Sequence, residues 1–154
     1  MAKLQWCPDE EAWTALIDSE HFAELELRVL SDEEPEPPTA SQLKSVAVVE
    51  QFAKTGLPST EKLARKYAQA YLGPDEVDDM EDEDFAIDIH AAIVPRLRDS
   101  SDTYVIFVGA SDIDPEHGVS ILCKNGKICV VTHSDFAYAN YDWDDTSELD
   151  QLIG

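Results

Sequence analysis

The segment Ser111-Asp112-Ile113-Asp114-Pro115-Glu116-His117-Gly118 places three carboxylates and an imidazole within eight residues. Carboxylate oxygens with one ring nitrogen are donors for Ca²⁺, Mg²⁺, Mn²⁺ or Zn²⁺, and a His–carboxylate pair is also an acid–base couple. The spacing D-x-D-x-E imitates the start of an EF-hand loop. It breaks at the sixth position, where His117 stands in place of glycine, and at the twelfth, where Cys123 replaces the bidentate glutamate. The same residues also have a structural reading. Pro115 fixes φ, Asp112 or Asp114 accepts from backbone N–H groups, and Gly118 supplies an unusual dihedral. The segment reads first as a shaped turn, with Asp112, Asp114, Glu116 and His117 as candidate binding residues. No catalytic residue, metal or other cofactor is assigned.

A second candidate binding segment is the acidic, aromatic tail, through Asp142, Trp143, Asp144 and Asp145. His90 and His133 stand alone at or near strand positions and read as structural histidines, while His21 says little. No H-E-x-x-H, C-x-x-C, Walker loop, G-x-G-x-x-G or G-x-S-x-G occurs. Cys7, Cys123 and Cys129 are too few and odd in number for a disulfide scaffold, and nothing in their neighbourhoods argues for a lowered thiol pKa.

The charge is the strongest bulk signal. Asp and Glu number 33 against 11 Lys and Arg, for a net charge of −22. A field of that sign repels nucleic acid and anionic lipid, so neither is expected as a partner. It favours a basic protein, divalent cations, or plain solubility and salt adaptation. No apolar run reaches the length of a membrane span, and the first residues lack a signal-peptide core, so a cytoplasmic location is the default expectation. A chain of 154 residues suits one domain over 1–154, with a core that needs no disulfide or metal.

The elements that must hold these residues follow from periodicity. Residues 9–17 suit a short helix carrying Trp13, Leu16 and Ile17. Residues 22–30 alternate as a half-buried strand, with Leu25, Leu27 and Val29 on one face. The acidic, proline-rich stretch 31–38 is a connector. Thr39 and Gln42 form a T-x-x-Q capping box for a helix that Gly56 stops, and a second helix runs from near Ser59 to Gly73-Pro74. Residues 75–84 hold eight carboxylates in ten positions and read as an exposed, mobile loop, or alternatively as a partner-facing patch.

Sheet periodicity then takes over. Phe85, Ile87, Ile89, Ala91 and Ile93 alternate with the residues between them, residues 103–110 form a buried strand, and Asn125-Gly126 predicts a type I′ hairpin. A two-residue turn pairs Lys124 with Lys127, Cys123 with Ile128, Leu122 with Cys129 and Ile121 with Val130. That register gives a core face of Val119, Ile121, Cys123, Ile128 and Val130, and it sets Cys123 and Cys129 on opposite faces. Residues 85–133 thus make four sequential antiparallel strands. The chain then ends in at most a short turn with Leu149, Leu152 and Ile153.

The segments PPTASQLKSVAVVEQF, YVIFVGASDIDPEHGVSILCKNGKICVV and THSDFAYA together resemble an uncharacterised bacterial domain family. That family pairs a P-[ST]-x-x-Q helix start with a D-x-E-H-G turn, a hairpin and a closing x-D-x-A segment. Some members lie beside polymorphic toxin genes and look like immunity proteins. The resemblance covers about residues 22–140. It implies an α+β domain and a protein-binding role, without an activity or a site. The expected fold is α+β, an antiparallel sheet of five or six strands with two helices on one face. The expected function is a non-enzymatic, immunity-type binding domain whose acidic surface takes a basic protein such as a toxin. The alternative is a metal-dependent enzyme or cation-binding protein using the 112–117 turn.

Overall fold

A computed structural model describes residues 3–22, 24–32, 34–97, 100–137 and 146–153. Seven strands form a single sheet in sequential order: β1 (Gln5–Cys7), β2 (Ala12–Ile17), β3 (Leu25–Leu30), β4 (Ile87–Val94), β5 (Tyr104–Ser111), β6 (Val119–Lys124) and β7 (Lys127–His133). Among the described residues four helices accompany it: α1 (Ala40–Thr55), α2 (Glu61–Leu72), α3 (Pro74–Asp78) and α4 (Ser147–Ile153). The α+β class stands, but among the described residues the sheet is mixed rather than antiparallel, it has seven strands rather than five or six, and four helices rather than two accompany it, with α4 on the opposite face. β3 and β4 run parallel, with Glu26 opposite Ala91 and Val29 opposite Val94. Parallel neighbours need a long crossover, and the 31–86 connection, carrying α1, α2 and α3, supplies it.

The first difference from the sequence expectation lies in residues 9–17, which hold a turn and the strand β2 rather than a helix. Trp6 and Trp13 sit directly opposite each other on β1 and β2, their rings edge to face at 5.5 Å. Such a cross-strand aromatic pair, together with the pairing of β2 to β3, outweighs the weak helical spacing.

β3 and α1 form as their residues dictate. Leu25, Leu27 and Val29 are buried on one face of β3. Thr39 accepts the Gln42 N–H at 3.1 Å, and the Gln42 amide oxygen accepts the Thr39 N–H at 3.0 Å, which closes the capping box. Gly56 ends α1 at a φ of 76°, where a β-carbon would strain the backbone. Val46, Val49 and Phe52 of α1 pack onto Leu27, Val94, Val105, Phe107 and Ile121 of the sheet.

The opposite sheet face is covered too. Ala91, Ile93, Tyr104, Ile106, Val108 and Leu122 lie there against Ala137 and Leu149. A seven-residue helix such as α4 is too short to stand alone, so the burial of Leu149, worth about 1.5–3 kcal/mol, is what docks it. Tyr104 Oη adds a hydrogen bond to the Asp150 carboxylate at 2.7 Å, and Lys124 Nζ another at 2.9 Å.

Two bulges change which side chains face which layer. In β4 the register shifts between Ile89 and Ala91, so Ile89, Ala92 and Val94 face α1 while Ala91 and Ile93 face α4. In the β6–β7 hairpin the turn is as expected, with Asn125 and Gly126 at φ of 53° and 76° and Cys123 opposite Ile128. Beyond that pair, Cys129 is an extra residue. Leu122 therefore meets Val130, Ile121 meets Val131 and Val119 meets His133. The expected pairs Leu122–Cys129 and Ile121–Val130 do not form, and Val131 replaces Val130 on the helix-side face. Both thiols of the hairpin are free.

Candidate functional site

The turn between β5 and β6 is built around Asp114. Its backbone N–H donates to the Ser111 carbonyl at 3.3 Å, and its own carbonyl accepts the Gly118 N–H at 2.8 Å. The Asp114 Oδ1 accepts the His117 N–H at 3.2 Å, the Asx bond expected of a shaped turn. Gly118 sits at a φ of 75°, and a β-carbon there would run into the Gly109 carbonyl oxygen. Glycine is therefore required at this crossing of β5 and β6.

The geometry goes beyond a turn. The His117 Nδ1 also lies 3.2 Å from Asp114 Oδ1. From the end of β7, His133 Nε2 approaches the other oxygen, Asp114 Oδ2, at 3.7 Å, and the two imidazole rings are 5.5 Å apart. Donor atoms of Asp114, His117 and His133 all lie within 4.8 Å of one another. The Asp114 side chain is only 5% exposed, His133 29% and His117 56%. A metal ion could be held here, by two imidazoles and one carboxylate.

The hairpin bulge is what delivers His133. Residues directly opposite each other share a sheet face, and Val119 belongs to the helix-side core. The unbulged register would pair Val119 with Thr132 and send His133 to the other face. One extra residue reverses that.

α2 closes the site from above. Tyr67 and Tyr71, one helical turn apart, stack nearly parallel with centroids 5.5 Å apart. The Asp114 charge raises the Tyr71 phenol above its ordinary value, followed by desolvation, a hydrogen bond to the Asp114 carboxylate and the Glu116 charge. Burial, then Tyr71 and Asp114, raise Tyr67 as well. Asp114 itself is pushed up by burial, but the His117 hydrogen bonds and the charges of His117 and His133 outweigh this and hold it below the usual carboxylate value. Two polar atoms here are buried without a hydrogen bond of normal geometry: Asp114 Oδ2 and the Tyr67 hydroxyl.

The acidic stretch 75–84 is not a mobile loop. It folds as α3 followed by a 3₁₀ turn at Asp82–Phe85. Two apolar residues explain this: Val77 and Phe85 are buried against Ala64, Ala68 and Ile113. Ile113 belongs to the 111–118 turn, so one small core fastens both acidic segments to the same end of the molecule. Arg65 stacks over Phe85 with its guanidinium carbon 4.1 Å from the ring centroid, and it pairs with Glu61 and Asp82.

Beside this segment an open cleft is floored by Phe22, Leu57, Ile87 and Ile89 and rimmed by Glu61, Asp82 and Asp88. No Lys or Arg among the described residues lines it. One guanidinium, that of Arg65, against three carboxylates leaves the rim net negative.

Of the residues singled out in the sequence, Asp114 and His117 come together, while Asp112 and Glu116 are exposed outside the cluster. Asp142, Trp143, Asp144 and Asp145 lie outside the described residues. His133, read as structural, joins the site instead, and so do Tyr67 and Tyr71, which fall within the second expected helix. Their helical spacing was visible, but not the surface they would cover. Among the described residues no helix is long and apolar enough to cross a membrane. Comparison of the chain with known families, with characterised proteins and with solved structures finds no match in any of the three.

Proposed function

We propose that this chain is a non-enzymatic binding domain for a basic protein, in the manner of an immunity protein that masks a cationic toxin surface. The observation that carries this reading is the cleft with an apolar floor and a carboxylate rim. A lysine or arginine side chain has a matching form, an aliphatic stem ending in a cation. Its stem would lie on Phe22, Leu57 and Ile87, and its charge would meet Asp88 and share Glu61 and Asp82 with Arg65. The net charge of −22 supplies the long-range attraction that steers such a partner and rejects acidic ones. The resemblance to immunity-like domains agrees with this role.

The test is a heteronuclear NMR titration with a short peptide of Lys, Arg and Leu. Amide shifts are expected to concentrate on residues 57–61 and 82–89, and association should slow by about tenfold or more at high salt. Asp88→Lys should weaken binding more than Asp9→Lys. Shifts spread evenly over the acidic surface, or binding indifferent to salt, would remove the cleft as the site.

A further inference from the structure

We infer that Asp114, His117 and His133 form a binding site for a divalent transition-metal ion of the zinc class. Independent of the basic-partner reading, it rests on three observations. The first is donor chemistry. Two imidazoles and one carboxylate suit Zn²⁺, Co²⁺ or Fe²⁺, whereas Mg²⁺ and Ca²⁺ take oxygen shells.

The second is spacing. A tetrahedral ion with bonds of about 2.0–2.1 Å holds its donors roughly 3.3 Å apart. Asp114 Oδ2 to His133 Nε2 is 3.7 Å, and His117 Nδ1 lies beside the same carboxylate, 3.2 Å from its other oxygen, Oδ1. The widest separation in the set is within 4.8 Å. Drawing the donors together takes a side-chain adjustment, for which the His117 ring, more than half exposed, has room. The donors come from two elements fixed independently, the Gly118 turn and the end of β7, so their convergence is not a local consequence of chain spacing.

The third is an unfilled need. A carboxylate oxygen that is buried and lacks a hydrogen bond is costly, on the order of 1–3 kcal/mol or more. Asp114 Oδ2 has no hydrogen bond of normal geometry, in a side chain 5% exposed, and His133 Nε2 stands 3.7 Å from it. The turn needs only Oδ1, which caps the His117 N–H. Asparagine would cap the turn without carrying a buried charge, so the carboxylate answers to something other than the turn. A cation between the three side chains satisfies Oδ2 directly. Three protein ligands leave a fourth position for water, and the unpaired Tyr67 hydroxyl is a nearby polar group available to it.

The imidazole of His133 has the means to adjust. Its Nδ1 accepts the Asp135 N–H at 3.1 Å, which leaves Nε2 as the protonated nitrogen facing Asp114. Ligation at Nε2 displaces its proton and leaves Nδ1 as the protonated nitrogen. The backbone bond from Asp135 is then exchanged for one to the Asp135 carboxylate, whose Oδ2 lies 3.5 Å away. A carboxylate behind a metal-binding imidazole is the common supporting arrangement.

The experiment is a Co²⁺ titration of chelator-treated protein whose accessible thiols have been alkylated, followed by visible ligand-field absorption. Expected is a single equivalent taken up with a low-symmetry ligand-field band, displaced by Zn²⁺ and not by a large excess of Mg²⁺. His117→Ala and His133→Ala should each abolish the band while keeping the wild-type circular dichroism, whereas His21→Ala and Asp112→Ala should leave it unchanged. His117 is exposed enough that its removal tests the site without threatening the fold. The inference is overturned if no Co²⁺ is taken up, if both histidine variants still bind one equivalent, or if Mg²⁺ displaces it. None of these outcomes bears on binding of a cationic peptide at the cleft, which lies among other residues.

Discussion

Replacing Gln42 by methionine should cost far more stability than a capping residue ordinarily does. Gln42 is 1% exposed and joins three parts of the chain. Its amide oxygen accepts the Thr39 N–H at 3.0 Å, and its amide nitrogen donates to the Leu30 carbonyl at 2.8 Å and the Pro95 carbonyl at 3.1 Å. Leu30 and Pro95 follow closely on the paired ends of β3 and β4, so this one side chain ties the helix start to the parallel pair. Methionine keeps the volume and removes all three bonds. Each of the two part-buried bonds contributes about 1 kcal/mol, and the buried Pro95 carbonyl, left unpaired, adds about 1–3 kcal/mol. The sum is about 3–5 kcal/mol, or roughly 6–20 °C in Tm for a chain of this size. Urea unfolding followed by tryptophan fluorescence measures it, with Thr39→Ser as the control that keeps the cap. A loss below about 1 kcal/mol would mean that Gln42 acts only as a cap and that the bridge between β3 and β4 carries no weight.

Other outcomes follow from burial and charge. Burial pushes the Cys123 thiol up to about 12, and its side chain is sealed in the helix-side core. Native protein at pH 8 should therefore take two iodoacetamide labels, on the half-buried Cys7 and Cys129, and three once unfolded. Three labels on the folded chain would contradict the inward orientation of Cys123. Asp150 is held below its ordinary 3.8 by hydrogen bonds from Tyr104 and then Lys124. A carboxylate lowered in the folded state stabilises above its unfolded pKa, and the gain is lost as pH falls past 3.8 and through the lowered value. Asp150→Asn should flatten the acid limb of the stability curve below pH 4 relative to wild type. An unchanged slope would show that the α4 contact does not persist in solution.

Much of the frame is legible because local chemistry and tertiary structure agree there. The Thr39–Gln42 box, the Gly56 stop, the alternation in β3 and the Asn125-Gly126 turn each depend on neighbours a few residues away, and each forms as its residues dictate. The acidic stretch 75–84 misled because charge density outweighed two apolar residues, Val77 and Phe85, whose partners lie on α2 and in the 111–118 turn. The parallel β3–β4 pair was hidden for a related reason. Strand direction depends on how a 56-residue connection returns over the sheet, not on the strand residues themselves.

The sequence by itself determined that Asp114, Pro115 and Gly118 make a turn, and that a hairpin with a type I′ turn follows it. It put Asp114 and His117 three residues apart, close enough to meet in any compact turn. Only the tertiary structure decided that His133 joins them. Side-chain orientation in a strand has a period of two, so the one-residue bulge at Cys129 moves His133 to the face that Asp114 and α2 share. That bulge is set by packing of Val130 and Val131 into cores on opposite sides of the sheet. No turn signal marks it, because the energy that fixes it comes from two layers the sequence alone does not bring together.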